Sequence, residues 1–230
     1  MDTYERLVAQ TGADYSEHIL GNPLMARLAR GEVTHDLYAA YLGETYHLVR
    51  HTSRALALAA ARLEDGRRDL RAWFLEQANE EHGHEQFCVR DLRALGLEPQ
   101  QVVDNGPGAG AWGLVTQNYY MASYGNPVGI LGVATATEGM GAELAGGLAQ
   151  TLAQRIGIPQ RALSFLRSHS GFDQRHLEQA RRAVNAHVAT ASDYADVLRA
   201  RRMTYRYYGC LFRDAVESNV RYFVEGGVAA

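Results

Sequence analysis

The chain has no lysine, because all 23 of its basic residues are arginine. Without lysine it cannot form a Schiff base, hold pyridoxal phosphate through an imine or place a P-loop lysine on a phosphate. Cysteine is scarce as well. Cys88 and Cys210 are too few for a disulfide framework, which indicates either a reducing compartment or simply two buried thiols. Met1–Arg6 lacks the basic start and apolar run of a signal peptide, so the expected location is the cytoplasm.

A strong charge of one sign and a long apolar run are also missing. The formal net charge of -3 argues against binding to nucleic acid. The longest weakly polar segment, residues 127–152, contains Glu138, Glu143 and several glycines, so no membrane span is expected. Hydrophobic residues still make up 47% of the 230 residues, which is enough for a sizeable core. We therefore expect a single domain that covers residues 1–230.

Proline is rare too, whereas apolar residues recur at helical spacing. Only five prolines occur, and the apolar pattern follows a period of 3.6, which predicts an all-α fold. Glycine, proline and capping residues set the boundaries. The predicted helices span residues 13–30, 34–64, 68–95, 114–124, 127–155, 160–187 (with a break near Gly171) and 192–222. Residues 98–113, with two prolines and four glycines, are predicted to form a loop.

The most informative pattern is His169, Asp173 and His176, which reads H-x3-D-x2-H. Offsets of i, i+4 and i+7 place the three side chains on one face of a helix. Two imidazoles and a carboxylate in this arrangement supply much of the ligand set of a metal ion. The alternative is the polar stripe of an ordinary amphipathic helix.

Three other predicted helices carry residues of the same type. Glu81 and His84 are three residues apart and could reach one ion, although this pair is also common on surface helices. Glu138 lies among small and apolar neighbours, so its carboxylate is expected to be buried and to need a cation. That cation is either a metal ion or an arginine in a structural salt bridge. Glu44 alone is a weaker candidate.

The candidate ligands indicate which metal ions would bind, but they do not determine which reaction takes place. Carboxylates mixed with imidazoles suit Fe, Mn or Zn, and the lack of cysteine ligands disfavours a structural zinc site. Three histidines and four carboxylates are too many for one tetrahedral ion, so two ions fit the count. A pair of hydrolytic metal ions would fit it as well as a pair that activates dioxygen.

At these residues the chain resembles the heme-oxygenase-like di-iron oxidases and oxygenases, also called iron-containing redox enzymes. The resemblance extends from about Tyr38 to His176 and rests on these segments: Tyr46–His51, Glu80–Glu85, Asp91–Gly96, Glu138 and the H-x3-D-x2-H motif. It implies a seven-helix bundle shared with heme oxygenase, TenA proteins and pyrroloquinoline quinone synthase. A ferritin-like four-helix bundle is the alternative fold.

The resemblance also implies cofactors and ligands. It implies two Fe(II) ions, with dioxygen as co-substrate. The implied metal ligands are Glu44, Glu81, His84, Glu138, His169, Asp173 and His176. His47 is an alternative to Glu44 in the first of these helices, and Glu85 is an alternative or supporting residue.

The resemblance further implies a di-iron oxygenase that acts on a small organic molecule in biosynthesis. N-oxygenation of an amine is the preferred reaction, and oxidative C–C cleavage or desaturation of a fatty or amino acid is the alternative. An external electron donor is the expected partner, and a homodimer is the one assembly considered. Two other hypotheses are an iron-binding protein with a vestigial or storage-like site, and a TenA-like hydrolase, which would need a cysteine nucleophile in its pocket.

Overall fold

A computed structural model describes residues 1–223, with only the backbone described for residues 170–174. The described residues form twelve α-helices: α1 (Thr3–Tyr15), α2 (Pro23–Arg30), α3 (His35–Val49), α4 (Thr52–Arg62), α5 (Arg68–Glu80), α6 (Glu85–Ala94), α7 (Pro99–Val103), α8 (Ala109–Ser123), α9 (Ile130–Met140), α10 (Gly146–Thr151), α11 (Ser164–His187) and α12 (Ala191–Glu217). Short π-helical segments lie at Ser16–Leu20, Gly141–Ala145 and Leu152–Ile156, and 3-10 turns at Asp65–Arg67, Pro127–Gly129 and Gln160–Ala162. No strand occurs in this part of the chain, and the all-α prediction is confirmed.

Several predicted helices are interrupted in the structure. The first extends back to Thr3 and is interrupted at Gly21 and Asn22. The side chain of Asn22 caps α2 by accepting a hydrogen bond from the Leu24 N–H. The second is divided at Arg50 and His51. The predicted loop 98–113 contains α7 and the start of α8. Conversely, the break predicted near Gly171 is wrong, because α11 runs without interruption from Ser164 to His187.

α12 is the central helix of the bundle, and it packs against α1, α3, α8 and α9. Two of these contacts are close enough to require glycine. A Cβ at Gly132 of α9 would lie 2.1 Å from the carbonyl oxygen of Val197. A Cβ at Gly110 of α8 would lie 2.0 Å from the backbone nitrogen of Leu211. These glycines let α8 and α9 lie directly on the backbone of α12.

The connection between α5 and α6 is the local feature that positions the site. Glu81 is the C-terminal cap of α5, and His84 immediately precedes α6. Gly83 lies between them with φ +87°, a left-handed conformation that favours glycine. The Glu-x-x-His pair therefore spans a tight turn between two helices, whereas the sequence pattern predicted one continuous helix.

The described helices include none that is both long and apolar enough to cross a membrane.

Candidate metal centre

Three side chains from three different helices meet in the interior. Glu81 at the end of α5, Glu138 of α9 and His176 of α11 each offer one ligand atom, and these atoms lie within 4.8 Å of one another. His176 is 3% exposed, and the side chains of Glu81 and Glu138 are 12% and 17% exposed. Two carboxylates this close repel each other unless a cation or a proton lies between them. The arrangement therefore has the character of a cation site.

His176 lies between two carboxylates. Its Nδ1 is 3.5 Å from Oε2 of Glu138, and its Nε2 is 3.1 Å from Oε2 of Glu80. Glu80 is itself held by Gln77, whose Nε2 donates to Oε2 at 3.1 Å, and by Arg175, which donates to Oε1 at 3.2 Å. A carboxylate behind one ring nitrogen, with the other nitrogen facing the cluster, is the usual environment of a metal-ligating histidine.

Two more histidines border the cluster. Nδ1 of His84 is 3.1 Å from Oε2 of Glu81. The ring of His169 lies edge-on to that of His84, with centroids 5.3 Å apart. Nδ1 of His169 is 2.7 Å from the carbonyl oxygen of Phe165, so this nitrogen carries the proton. The lone pair of His169 is therefore on Nε2, which is the form that binds a metal ion.

The pKa values follow from burial and from these contacts. Burial raises the pKa of Glu138, with the hydrogen bond from His176 opposing the shift and the charge of Glu81 adding to it. The hydrogen bond with Glu138 raises the pKa of His176. Burial would raise the pKa of Glu81, but the hydrogen bond from His84 and the nearby imidazoles lower it overall. Burial lowers the pKa of His169, which keeps that ring neutral near pH 7.

A cavity of about 160 Å³ opens beside the cluster. Glu81, Glu138 and His169 line one part of its wall. The rest of the wall is mostly apolar and comes from α3, α4, α5, α8, α9, α10, α11 and α12 together with the Gly141–Ala145 π-helical segment. Gly141 belongs to this wall, whereas a Cβ at Gly147 would meet nothing within 4 Å.

The structure does not bring Glu44 to the cluster. Its two carboxylate oxygens accept from the N–H of Gly108 at 3.0 and 2.9 Å, at the N-terminus of α8, and it lines a separate cavity together with Asp214. Asp214 accepts from the N–H of Gly110 at 2.7 Å. Glu44 and Asp214 therefore cap a helix that has no side-chain cap of its own. Burial raises the pKa of Glu44 to about 7, and the charge of Asp214 adds to the shift.

His47, the alternative to Glu44, does not reach the cluster either. Its ring lies edge-on to that of Tyr46, with centroids 5.5 Å apart, and its Nε2 is buried without a hydrogen-bond partner among the described residues. The face of α3 that lines the main cavity instead carries Tyr41, Leu48 and Val49. Glu44 is only about 60° from Tyr41 around the helix, but its carboxylate is bound to the Gly108 N–H and does not line the main cavity.

Two further predicted residues complete the comparison. Glu85 begins α6 and accepts from Gln86 at 3.1 Å, and its carboxylate is outside the group formed by Glu81, Glu138 and His176. The side chain of Asp173 lies outside the described residues, so its role as a ligand stays a prediction.

The described donors fit an iron ion. Two carboxylates and up to three imidazoles are the mixed oxygen and nitrogen set that non-haem iron uses. The histidines also have the supporting contacts that ligating histidines require, from Glu80 and from the carbonyl of Phe165. The sequence pattern missed Glu80, although it is adjacent to Glu81 and its partner Arg175 is adjacent to His176. The predicted alternative of an Arg salt bridge to Glu138 is not seen in the described residues, where its partner is His176.

Neither cysteine lines the main cavity. Cys88 is fully buried, and burial raises the pKa of its thiol well above the usual range. Sγ of Cys210 is 3.0 Å from a guanidinium nitrogen of Arg213. A nucleophilic thiol needs access to substrate and a lowered pKa; Cys88 lacks both, and Cys210 does not line the cavity.

Residues 39–209 match the model of the iron-containing redox enzyme family, and the chain belongs to this family. Solved structures show the same fold. A domain of unknown function with a heme oxygenase-like fold from Shewanella denitrificans OS217 has a TM-score of 0.85 at 21% identity, with 93% of this chain and 91% of that chain covered. A TenA homologue from P. horikoshii OT3 has a TM-score of 0.76 at 16% identity, with 94% and 98% covered.

A TenA homologue from Pseudomonas syringae also has a TM-score of 0.76, at 15% identity, with 93% of this chain and 92% of that chain covered. A comparison with curated protein sequences finds no match. The predicted heme-oxygenase-like fold is therefore confirmed in preference to the ferritin-like bundle. The predicted family is confirmed as well.

Proposed function

We propose that this chain is a non-haem iron oxygenase that oxidises a small, largely apolar amine. The observation that carries the proposal is the position of the carboxylate and imidazole cluster in the wall of an interior apolar cavity. Glu81, Glu138 and His176 would hold iron, with His84, His169 and Asp173 as further donors. Iron supplies the one-electron steps through which dioxygen, otherwise slow to react with organic molecules, becomes an oxidant.

Two Fe(II) ions remain part of the proposal, with unequal affinity. Glu44, the candidate donor in α3, caps α8 and is not available to the cluster. The set of candidate donors therefore falls from seven to six. We expect one ion to bind well at Glu81, Glu138 and His176 and a second to bind more weakly.

The charges around the cavity favour an amine over a carboxylic acid. The charged side chains in the described wall are the carboxylates of Glu81 and Glu138, and no arginine is among those wall residues. A substrate carboxylate would find no arginine partner there and would lose its hydration, which is unfavourable. An amino group next to carboxylates is favoured. This argument places N-oxygenation before cleavage of a fatty acid.

The protein side of the reaction can be assigned from the contacts. Insertion of one oxygen atom into an amine N–H bond sends the second oxygen atom to water, which consumes two protons and two electrons from a donor outside the chain. Glu80 and the Phe165 carbonyl hold His176 and His169 in fixed orientations, and the apolar wall excludes water from the substrate. A storage protein would not need such an apolar cavity, and the position of Cys88 disfavours a TenA-like hydrolase.

The test is anaerobic Fe(II) titration followed by oxygen consumption with three six-carbon probes. Hexylamine, hexanoate and hexane-1,6-diamine are supplied in turn with a chemical reductant, and products are identified by mass spectrometry. We expect binding of about two Fe(II) per chain and oxygen uptake linked to a product 16 mass units heavier than hexylamine. Product from hexanoate alone would replace N-oxygenation with C–C cleavage. Ferric mineral with no organic product would overturn the proposal in favour of storage.

A matched pair of variants tests whether the cluster is the site of iron binding and oxygen uptake. His176→Ala should lose iron and oxygen uptake while its circular dichroism spectrum stays helical. His82→Ala, an exposed histidine in the same α5–α6 connection, should keep both. Equal iron content and oxygen uptake in the two variants would show that the cluster is not the iron site.

A further inference from the structure

Two residues of the cavity wall each have a buried polar atom with no hydrogen-bond partner among the described residues. Asn118 of α8 is 8% exposed, and its side-chain Oδ1 has no hydrogen bond among the described residues. The indole Nε1 of Trp73 in α5 is also buried and has no partner in the part of the chain that the structure describes. Both residues line the main cavity. The pair offers a buried acceptor and a buried donor, and each destabilises the protein until something satisfies it.

Trp73 lies on the same helix face as Glu81, a proposed iron ligand, but about two turns earlier in the chain. Trp73, Gln77 and Glu81 follow one another at intervals of four residues and all line the cavity. Eight residues of α-helix separate Trp73 from Glu81, which is about 12 Å along the axis. Gln77 lies between them and turns its Nε2 to Glu80. The indole N–H is therefore remote from the cluster, along the length of the cavity.

Asn118 reaches the same space from another side. α4 packs against both α5 and α8, and its residues Thr52, Ala55 and Leu56 line the cavity with Trp73 and Asn118. The charged residues of the described wall are confined to the cluster end. An anionic or cationic group near Trp73 and Asn118 would therefore lack a countercharge in a largely apolar surrounding.

We propose that Trp73 and Asn118 form a subsite for a neutral group that both accepts and donates hydrogen bonds, at the end of the substrate opposite the oxidised atom. The indole N–H donates to it and Oδ1 of Asn118 accepts from it. A carboxamide fits this description best, because it has an acceptor oxygen and two donor hydrogens, and a hydroxyl is the smaller alternative. The placement of the group relative to the oxidised atom rests on the proposed function, but the binding itself does not require iron.

The test measures binding to the apo-protein by calorimetry. The probes are hexanamide, 1-hexanol, hexylamine and hexanoate, which share one apolar length and differ in the end group. Three variants are compared with the wild type: Asn118→Leu, Trp73→Phe and Asn105→Leu. Asn105 lines the separate cavity that contains Glu44, so it is a matched control for loss of an asparagine.

We expect the wild type to bind hexanamide most tightly and Asn118→Leu to weaken that binding at least tenfold, with little change for hexylamine. Trp73→Phe, which keeps an aromatic ring and loses only the N–H donor, should also weaken hexanamide. A preference for 1-hexanol with the same dependence on Asn118 would assign the subsite to a hydroxyl. Binding of hexanamide that Asn118→Leu leaves unchanged, or no preference over hexanoate, would overturn the proposal.

Thermal stability separates recognition from a structural role. Removal of an unsatisfied buried amide should leave apo Asn118→Leu as stable as the wild type or more stable. A lower melting temperature in this variant would show that Asn118 has a structural partner and would overturn the subsite. Failure of the proposed function would give a different result. Hexanamide would still bind in a manner that depends on Asn118, but the protein would oxidise none of the amines.

Discussion

Glu80 determines how His176 is presented to the cluster, although it is not itself in the group of candidate ligands. Glu80→Gln keeps the shape and removes the charge opposite Nε2 of His176. We expect the variant to bind Fe(II) about 10–100-fold more weakly, as loss of a partner behind a ligating histidine usually does. Anaerobic titration with a competing chelator measures the change.

The matched control for Glu80→Gln is Glu76→Gln, one turn earlier on α5 and exposed to solvent. It removes the same charge from the same helix without touching His176. Equal iron affinity in the two variants would mean that the contact between Glu80 and His176 does not matter for the metal.

Glu44 has a measurable role of its own, as the cap of α8. Its folded pKa of about 7 lies above the reference value of 4.5, so the folded state favours the protonated form. The wild type should therefore lose stability as the pH rises from 4.5 to 7, and Glu44→Gln should not suffer this loss. We expect the stability of the variant relative to the wild type to rise over that range and to stay level above it.

Urea unfolding at pH 4.5, 6 and 8 measures the effect of Glu44→Gln. The gain should stay below about 1.4 kcal/mol per pKa unit, because Glu44 is only half-buried and solvent screens its charge. Glu98→Gln, an exposed carboxylate elsewhere, is the control and should show no such trend. A difference between Glu44→Gln and the wild type that is constant with pH would contradict the assignment.

The residues of the site differ in how well the sequence alone could identify their roles. Glu138 could be recognised because a lone carboxylate among small apolar residues is unusual, and the structure places it in the cluster. Glu44 could not, because a carboxylate that caps a neighbouring helix has the same local pattern as one that faces a metal. Only the path of residues 104–108 past α3 distinguishes the two, and that is a long-range contact.

At the scale of the elements, the turn between α5 and α6 sets the spacing of Glu81 and His84. Gly83→Ala forces a residue with a Cβ into the left-handed region, which costs about 1–2 kcal/mol. We expect lower stability to urea together with weaker iron binding, because relaxation of the turn moves both side chains. Gly66→Ala is the control, since a Cβ there would meet nothing within 4 Å and no left-handed φ is involved.

Loss of stability in Gly83→Ala without any change in iron affinity would show that the turn supports the fold alone. A variant as stable as Gly66→Ala would show that position 83 tolerates a side chain.

The elements show where sequence patterns are sufficient. Strong local signals were reliable: Gly31, Gly96 and Gly157 have positive φ at the ends of helical segments, as their positions in the sequence indicated. The interruption at Arg50 and His51 contains no glycine or proline, so no local pattern predicts it. No local pattern predicts the π-helical segment Gly141–Ala145 either, although three of its residues line the cavity.

At the scale of the whole molecule, the cluster links iron binding to stability. The C-terminal cap of α5 and helices α9 and α11 each contribute one of its three residues, so an ion bound there holds three parts of the bundle together. Iron that binds the folded state alone stabilises it by about 2.7 kcal/mol at a hundredfold excess over its dissociation constant. The apo-protein, by contrast, has to bury two carboxylates side by side.

Glu138→Leu tests this link with a single substitution. The pKa of Glu138 is raised by burial, so the ionised carboxylate opposes folding at pH values above its folded pKa. We expect the apo variant at pH 8 to be at least as stable as the apo wild type, since leucine fills the same volume without a buried charge. Added Fe(II) should raise the melting temperature of the wild type by several degrees and leave that of the variant nearly unchanged. Differential scanning calorimetry with and without Fe(II), under argon, gives all four values. A strongly destabilised apo variant would mean that the contact between Glu138 and His176 stabilises the fold by itself, and the cluster would then be a structural ion pair rather than a metal centre.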